Sequence, residues 1–400
     1  MKNKINLFFG KEFLWWYGFI FVLFFLVGRF FLAGNESTFS SIMRFMLLPL
    51  IFCVFFDIKN LGGMLKGSYI YWLVIGLLVY VCVGVFLVSE DSSYYRRVLV
   101  ILIFVSVVAV LASEENLFEK VLSFAATVAG FVALITLFKV FFFDGYSVNH
   151  RKDLLTGGGE IFEFGNNIVA ALNYSFFAVV AFWLSMSCKG RYRFFWFSVF
   201  CIISLFVFLT FARSAYLSIC IAIFSMIALK ARWKGVLAFF TGAFLLIAII
   251  SFLFWDYVVY EFFKRGLSGR NYIWDVIIDR LGSDWFFGKG IAGEWGEIIF
   301  PHGFIAKNAH SVYVEILYKY GLFGLLMFIG IILGAAYVFF KNRRENVCLL
   351  WFGVVTSVSV VMLVEMRDII NSPNRLWLWF WMPVGVAVYY SCLEKRNVSS

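Results

Sequence analysis

Apolar runs of about 20 residues recur along nearly the whole chain, and each is long enough to cross a hydrocarbon core of ~30 Å. "YIYWLVIGLLVYVCVGVFLV", from Tyr69 to Val88, is one of the least interrupted. Twelve spans are expected, at 14–33, 38–56, 69–89, 98–112, 121–143, 166–187, 194–212, 214–229, 235–255, 321–340, 347–364 and 376–392. Such a pattern leaves one fold class: an all-α polytopic integral membrane protein, read as a single membrane-embedded domain over 1–400. Only 14% of the residues are charged, against roughly a quarter in a soluble domain. The first run is too long for a signal peptide and lacks a small-residue cleavage site, so it reads as the first span. The many Phe, Tyr and Trp suit lipid-facing and interfacial positions, not a cofactor box.

Short basic loops set the expected orientation. Lys2, Lys4 and Lys11 precede the first span; "CKGRYR" (188–193), "KARWK" (230–234), "KNRREN" (341–346) and "EKR" (394–396) all fall on one side. That side is expected to be the cytoplasm and to hold both termini. The net charge of +10 therefore needs no nucleic-acid partner. The seven cysteines lie in spans or beside basic turns, with no CxxC and no disulfide framework.

On the opposite face two segments are too long to be simple turns: 144–165 and a large loop over 256–310, between the ninth and tenth spans. The large loop contains "LSGRNYIWDVIIDRLG", which predicts a helix over about 269–281, with Ser268 as N-cap and Gly282 as the stop. Ile273, Ile277 and Leu281 give it one apolar stripe.

This outward face should be poor in Lys and Arg, yet it holds Arg96, Arg97, Arg151, Lys152, Arg213, Lys264, Arg265, Arg270, Lys289 and Lys319, among others. Arg29, Arg44 and Lys139 fall inside spans near their outer ends, where snorkelling to headgroups explains them. The excess as a whole asks for a compensating anion, and a phosphate-bearing ligand is the simplest, because guanidinium forks pair bidentately with phosphate. Arg213, in "LTFARSAYL", sits at the tip of a tight hairpin and is either an interface anchor or a ligand contact. Arg270 lies in the first turn of the loop helix, where the macrodipole disfavours a cation; a ligand accounts for it better than stability does. Arg280, near the other end of that helix, suits the dipole and reads as structural.

His310 is one of only three histidines and stands at the entrance to an apolar helix. A neutral imidazole there is either a general base or an ordinary interfacial histidine. Gly321 and Gly324 read as small residues that admit a tightly packed neighbour. No DxD, HExxH, P-loop or GxSxG is present, so an enzyme acting on a phosphate ester here would use arginines in place of a metal.

"SGRNYIWDVIIDRLGSDWFFGKGIAG" (268–293) followed by "NAHSVYVEILYKYGLFG" (308–324) resembles the signature of the O-antigen ligase and O-antigen polymerase superfamily. The ligase branch carries His, then Asn, Ser or Gln, nine residues, and Gly-x-x-Gly; His310, Ser311, Gly321 and Gly324 match it in order. "TFARSAYL" is similar to the family's arginine hairpin, and "FGNNIVAAL" (164–172) also resembles the family. The resemblance implies a glycosyltransferase of the periplasmic face of a Gram-negative inner membrane. It would move O-antigen polysaccharide from undecaprenyl diphosphate to lipid A–core, inverting and without metal or cofactor. His310, Arg213 and Arg270 would be catalytic; Arg151, Arg265 and Arg97 would contact the diphosphate; Ser311, Gly321 and Gly324 would shape the motif. Three alternatives remain: a polymerase with a lipid-linked acceptor, a pilin glycosyltransferase, and, from another class, a lipid-linked sugar transporter or flippase.

Overall fold

A computed structural model describes residues 11–32, 36–56, 67–88, 92–143, 166–230, 269–300 without 292 and 294, 305–306, 308–374 without 367, and 376–399, with isolated positions at 65, 241, 252, 255 and 259. Helices dominate, as they must where lipid offers backbone groups no hydrogen-bond partner. They are α1 (Lys11–Phe31), α2 (Glu36–Phe56), α3 (Tyr69–Val88), α4 (Ser93–Leu111), α5 (Glu115–Phe142), α6 (Asn167–Ser187), α7 (Gly190–Leu209), α8 (Arg213–Lys230), α9 (Arg270–Leu281), α10 (Val312–Lys341), α11 (Asn346–Val364) and α12 (Met382–Ser399), the last preceded by a π-helical turn, Trp377–Trp381. The chain is an all-α multi-pass membrane protein. Eight of the helices carry an apolar stretch long enough to span a bilayer. Eleven of the twelve expected spans coincide with helices; the ninth, 235–255, lies outside the described residues but for isolated positions, and the segment 144–165 lies wholly outside them.

One end of the bundle carries α9 and a two-stranded antiparallel hairpin, β1 (Ile298–Ile299) and β2 (Ile305–Ala306), and is called the loop face. The π turn that opens the last span sits just ahead of Pro383, which has no N–H and cannot follow an ordinary α turn without a clash. Instead Met382 N–H reaches back five residues to the Trp377 carbonyl, and three buried tryptophans line the turn. Trp379 and Trp381 donate their indole N–H groups to the Leu172 and Ile369 carbonyls, both at 3.0 Å, tying this segment to α6 and to the chain before it.

Helices α8 and α11 pack closely along their length. A Cβ on Gly353 would lie 2.9 Å from the Ala222 carbonyl oxygen, so the backbones touch there. Ser357 Oγ donates to Ser218 O at 2.8 Å, and Thr356 Oγ1 donates to Ser225 Oγ at 2.8 Å. This antiparallel register carries the head of α8 to the level of the last turn of α11.

The extramembrane part of the loop builds its own small core. Ile273, Ile277 and Leu281, the stripe expected from sequence, are buried against Ile298, Phe300, Ala306, Ala309 and Tyr318. Arg280 is structural as its position suggested: its guanidinium donates to the carbonyls of Trp295 and Glu297 and clasps the hairpin to α9. Gly269 (φ +77°) holds the N-cap place expected for Ser268, which lies outside the described residues, and Gly282 (φ +60°) ends the helix.

Two expectations are corrected. Arg29 does not snorkel: it is 8% exposed, with Phe25 and Phe39 rings 5.2 and 4.7 Å from its guanidinium carbon. A cation inside the bundle is better served by π faces than by stretching past them. Gly321 is not a helix–helix contact. It breaks α10 with φ +64°, ψ −171°, and the turn 285–289 of the large loop fills the break. Leu322 and Phe323, whose N–H groups the break frees, donate to the carbonyls of Trp285 and Phe286 at 2.7 and 3.2 Å. Lys289 N–H in turn donates to Tyr318 O at 2.8 Å. Tyr80 of α3 seals the junction by donating to Tyr320 O at 3.0 Å. A Cβ on Gly321 would sit 2.2 Å from Phe286 O, and one on Gly288 (φ +74°) 2.6 Å from Gly321 N.

Gly321→Ala should therefore destabilise the protein by about 2–4 kcal/mol, through left-handed strain and displacement of the loop. Gly330→Ala, lower on the same helix with its nearest new contact at 4.0 Å, should stay within about 0.5 kcal/mol of the parent. Thermal denaturation in detergent, with proteolysis of 282–296 as a second readout, distinguishes the two; equal behaviour would refute the splice.

Candidate active site at the loop face

The segment "NAHS" folds by local rules. Asn308 Oδ1 accepts the His310 N–H at 3.3 Å, an Asx-type turn that leads His310 into the left-handed region (φ +51°). Ser311 is then the N-cap of α10, its hydroxyl accepting from Val314 N–H at 3.4 Å. Trp274 of α9 donates to Ala309 O at 2.8 Å and pins this turn to the loop helix. The imidazole is thus aimed by the backbone on either side of it, and its side chain is 36% exposed, open to a ligand.

What it faces was not legible in the sequence. Glu365, the C-cap residue of α11, is 4% exposed and stands between two site residues. Its Oε2 accepts from an Arg270 Nη at 2.9 Å, and its Oε1 lies 3.7 Å from His310 Nδ1. Arg270 and His310, 40 residues apart in sequence, therefore converge on one carboxylate. Arg213 heads α8 and is half-buried. Its turn is tight: Phe211 takes φ +54°, Thr210 Oγ1 donates to Val207 O, and Tyr216 donates its hydroxyl to Phe208 O. The register of α8 on α11 brings Arg213 to the same end of the bundle as Glu365. Arg97, at the loop-face end of α4, is half-buried with its guanidinium carbon 4.5 Å from the Tyr94 ring. Arg151 and Arg265 lie outside the described residues.

Farther along α10 from His310 a buried ion cluster braces the site. Lys319 Nζ donates to Glu315 Oε1 at 3.0 Å and to Asp368 Oδ2 at 3.1 Å, and Asp368 N–H donates to Glu315 Oε2 at 3.1 Å. Their side chains are 13%, 7% and 11% exposed. Asp368 and Glu365 lie on the same strap of chain between α11 and the π turn, so the cluster fixes where Glu365 stands relative to α10. Sequence reading placed Lys319 among the outward cations without its partners. The acidic residues of "VEMRD" gave no signal, because their cations come from α9 and α10.

The arrangement has the parts for proton transfer beside an anionic leaving group: an exposed imidazole, a carboxylate at its Nδ1 side, and guanidinium groups at helix starts, where the dipole adds positive potential. Comparison with known proteins agrees. Residues 197–329 match the O-antigen ligase family, and that span contains Arg213, Arg270, His310, Ser311, Gly321 and Gly324. The O-antigen ligase resemblance is borne out. An O-antigen ligase of Pseudomonas aeruginosa is 22% identical over 322 residues, which is 78% of this chain and 74% of that protein. The ligase-family stretch ends before Glu365 and Asp368, so the carboxylates come from outside the matched stretch.

Removing one member of a buried ion cluster leaves the others uncompensated. Lys319→Met should cost about 3–5 kcal/mol, and combining it with Glu315→Gln and Asp368→Asn should restore much of the loss. Melting temperatures of the single and triple variants in one detergent check this; additive losses would show the three groups to be uncoupled.

Proposed function

We propose that this protein transfers O-antigen polysaccharide from undecaprenyl diphosphate to a sugar hydroxyl of lipid A–core, at the periplasmic face of the inner membrane. The observation that carries the reading is the convergence of His310 and Arg270 on Glu365 within a ligase-type chain. In this mechanism Glu365 holds the Nδ1 side of the imidazole, and Nε2 takes the proton of the acceptor hydroxyl. The acceptor oxygen bonds to the anomeric carbon from the face opposite the phosphate, with inversion. The anomeric carbon–oxygen bond breaks, and its electron pair leaves on undecaprenyl diphosphate.

Arg213 and Arg270 bind the diphosphate and offset the charge that grows on it as it departs. A guanidinium has five N–H donors in a fixed fork, so Arg270 can serve a carboxylate and a phosphate together. The bond broken is already activated by the diphosphate, and the scheme routes no step through a metal. Arg97, Arg151 and Arg265 are assigned supporting contacts to the same anion.

His310→Ala should lower the transfer rate at least 100-fold while leaving donor binding and melting temperature near the parent values. Arg270→Lys should weaken donor binding, because an ammonium lacks the planar fork. The assay uses purified protein, lipid-linked donor and lipid A–core acceptor in detergent with EDTA. Full activity of His310→Ala, or strict dependence on Mg²⁺, would overturn the mechanism. A deletion strain separates the activities: lipid-linked polymer with bare core marks a ligase, and core capped by one repeat unit marks a polymerase.

A further inference from the structure

On the lipid-facing side of the bundle, near the loop face, a cavity of about 280 Å³ opens between α3, the loop turn 287–291 and the break in α10. Its wall is mainly apolar: Val83, Gly84 and Leu87 from α3, Phe287 from the loop and Tyr320 from α10. Among the described residues a Cβ on Gly84 would meet nothing within 4 Å, so the absent side chain leaves open space there. The neighbouring surface of α3 is bare: Val83, Phe86 and Leu87 are 49%, 80% and 71% exposed. In a membrane-spanning helix those residues meet lipid, so the cavity is entered from the bilayer. Lys289 stands at its polar rim. Its ammonium is paired with Asp284, but the two side chains are 35% and 44% exposed, and an ion pair that wet contributes little and exchanges readily for another anion.

We propose that this cavity seats the phosphate-proximal part of a polyprenyl chain, with Lys289 reaching its phosphate. The proposal rests on the transferase reading above and adds where the carrier lies. Two observations favour a carrier chain over a bulk acyl chain. The cavity reaches α10 at Lys319 and Tyr320, nine and ten residues from His310, a separation of roughly 13–15 Å at the helical rise. A chain joined directly to the reacting diphosphate must leave the site within that reach, whereas an acceptor's acyl chains are set apart from the reacting hydroxyl by sugars. The cavity wall also includes the turn that is spliced into α10, so an occupant touches the element that positions the site. Its loop-side wall carries Lys289, a cation placed to meet the phosphate of a lipid chain that fills the cavity.

The test fills the cavity and follows the carrier. Gly84→Trp, with Gly84→Leu as the milder variant, should raise KM for an undecaprenyl diphosphate donor at least tenfold. A donor cut to one isoprene unit should change less than twofold, so the preference for the long chain collapses. An unchanged ratio between the two donors would overturn the proposal. A diazirine-bearing undecaprenyl phosphate supplies a readout that needs no turnover or folded variant. Irradiated with the wild-type protein, it should label 83–87 or 287–291, and unlabelled undecaprenyl phosphate should compete while phosphatidylglycerol should not. Labelling elsewhere, or equal competition by phosphatidylglycerol, would overturn the assignment. Labelling as expected without transfer from any donor would sink the transferase reading and leave the carrier site standing.

Discussion

A break in a membrane helix must be repaired, because hydrocarbon gives the freed N–H and C=O groups nothing to bond. In α10 the repair comes from outside the bundle: the carbonyls of Trp285 and Phe286 take the N–H groups that Gly321 releases. This exchange makes the large loop part of the membrane domain. The loop turn cannot move without stranding backbone donors, and α9 moves with it through Arg280, the hairpin and their shared core. Arg270 and the His310 turn are set on that same unit, with Trp274 joining the two. The placement of the site thus follows from one unusual glycine and the chain that completes it.

The spans were legible because lipid imposes a single requirement on every residue of a crossing helix, and a run of apolar residues satisfies it visibly. The α9 stripe was legible for the equivalent reason in water, through the 3.6-residue period of Ile273, Ile277 and Leu281. Arg213, Arg270 and His310 drew notice by standing where stability does not ask for them. Other features had no such mark. A glycine that packs a helix and a glycine that breaks one look identical in "GLFG"; only the loop turn arriving at Gly321 separates them. Arg29 near a span end suggests snorkelling until the rings of Phe25 and Phe39 are seen around it. Glu365 and Asp368 were silent because a carboxylate in a short connection is the commonest thing in any sequence. Their meaning lies in partners 55 and 49 residues away.

The charges of the site oppose helix electrostatics individually and satisfy it jointly. Arg213 and Arg270 are cations at helix N-termini, and Glu365 is an anion at the C-terminus of α11; each placement runs against the macrodipole by roughly 0.3–1 kcal/mol. Pairing Arg270 with Glu365 cancels much of that, since each sits in the field the other offsets. Stability alone would be served as well by leaving all of these positions uncharged, because a buried pair seldom beats apolar packing. The surplus positive potential from the starts of α8, α9 and α10, together with their arginines, is directed at the loop face beside an exposed imidazole. An anion arriving there meets donors already oriented by packing, while the carboxylate of Glu365 is engaged by Arg270 and turned toward the imidazole. That division, with guanidinium groups for a departing diphosphate and a carboxylate for the base, lets opposite charges share a small site without cancelling each other's function.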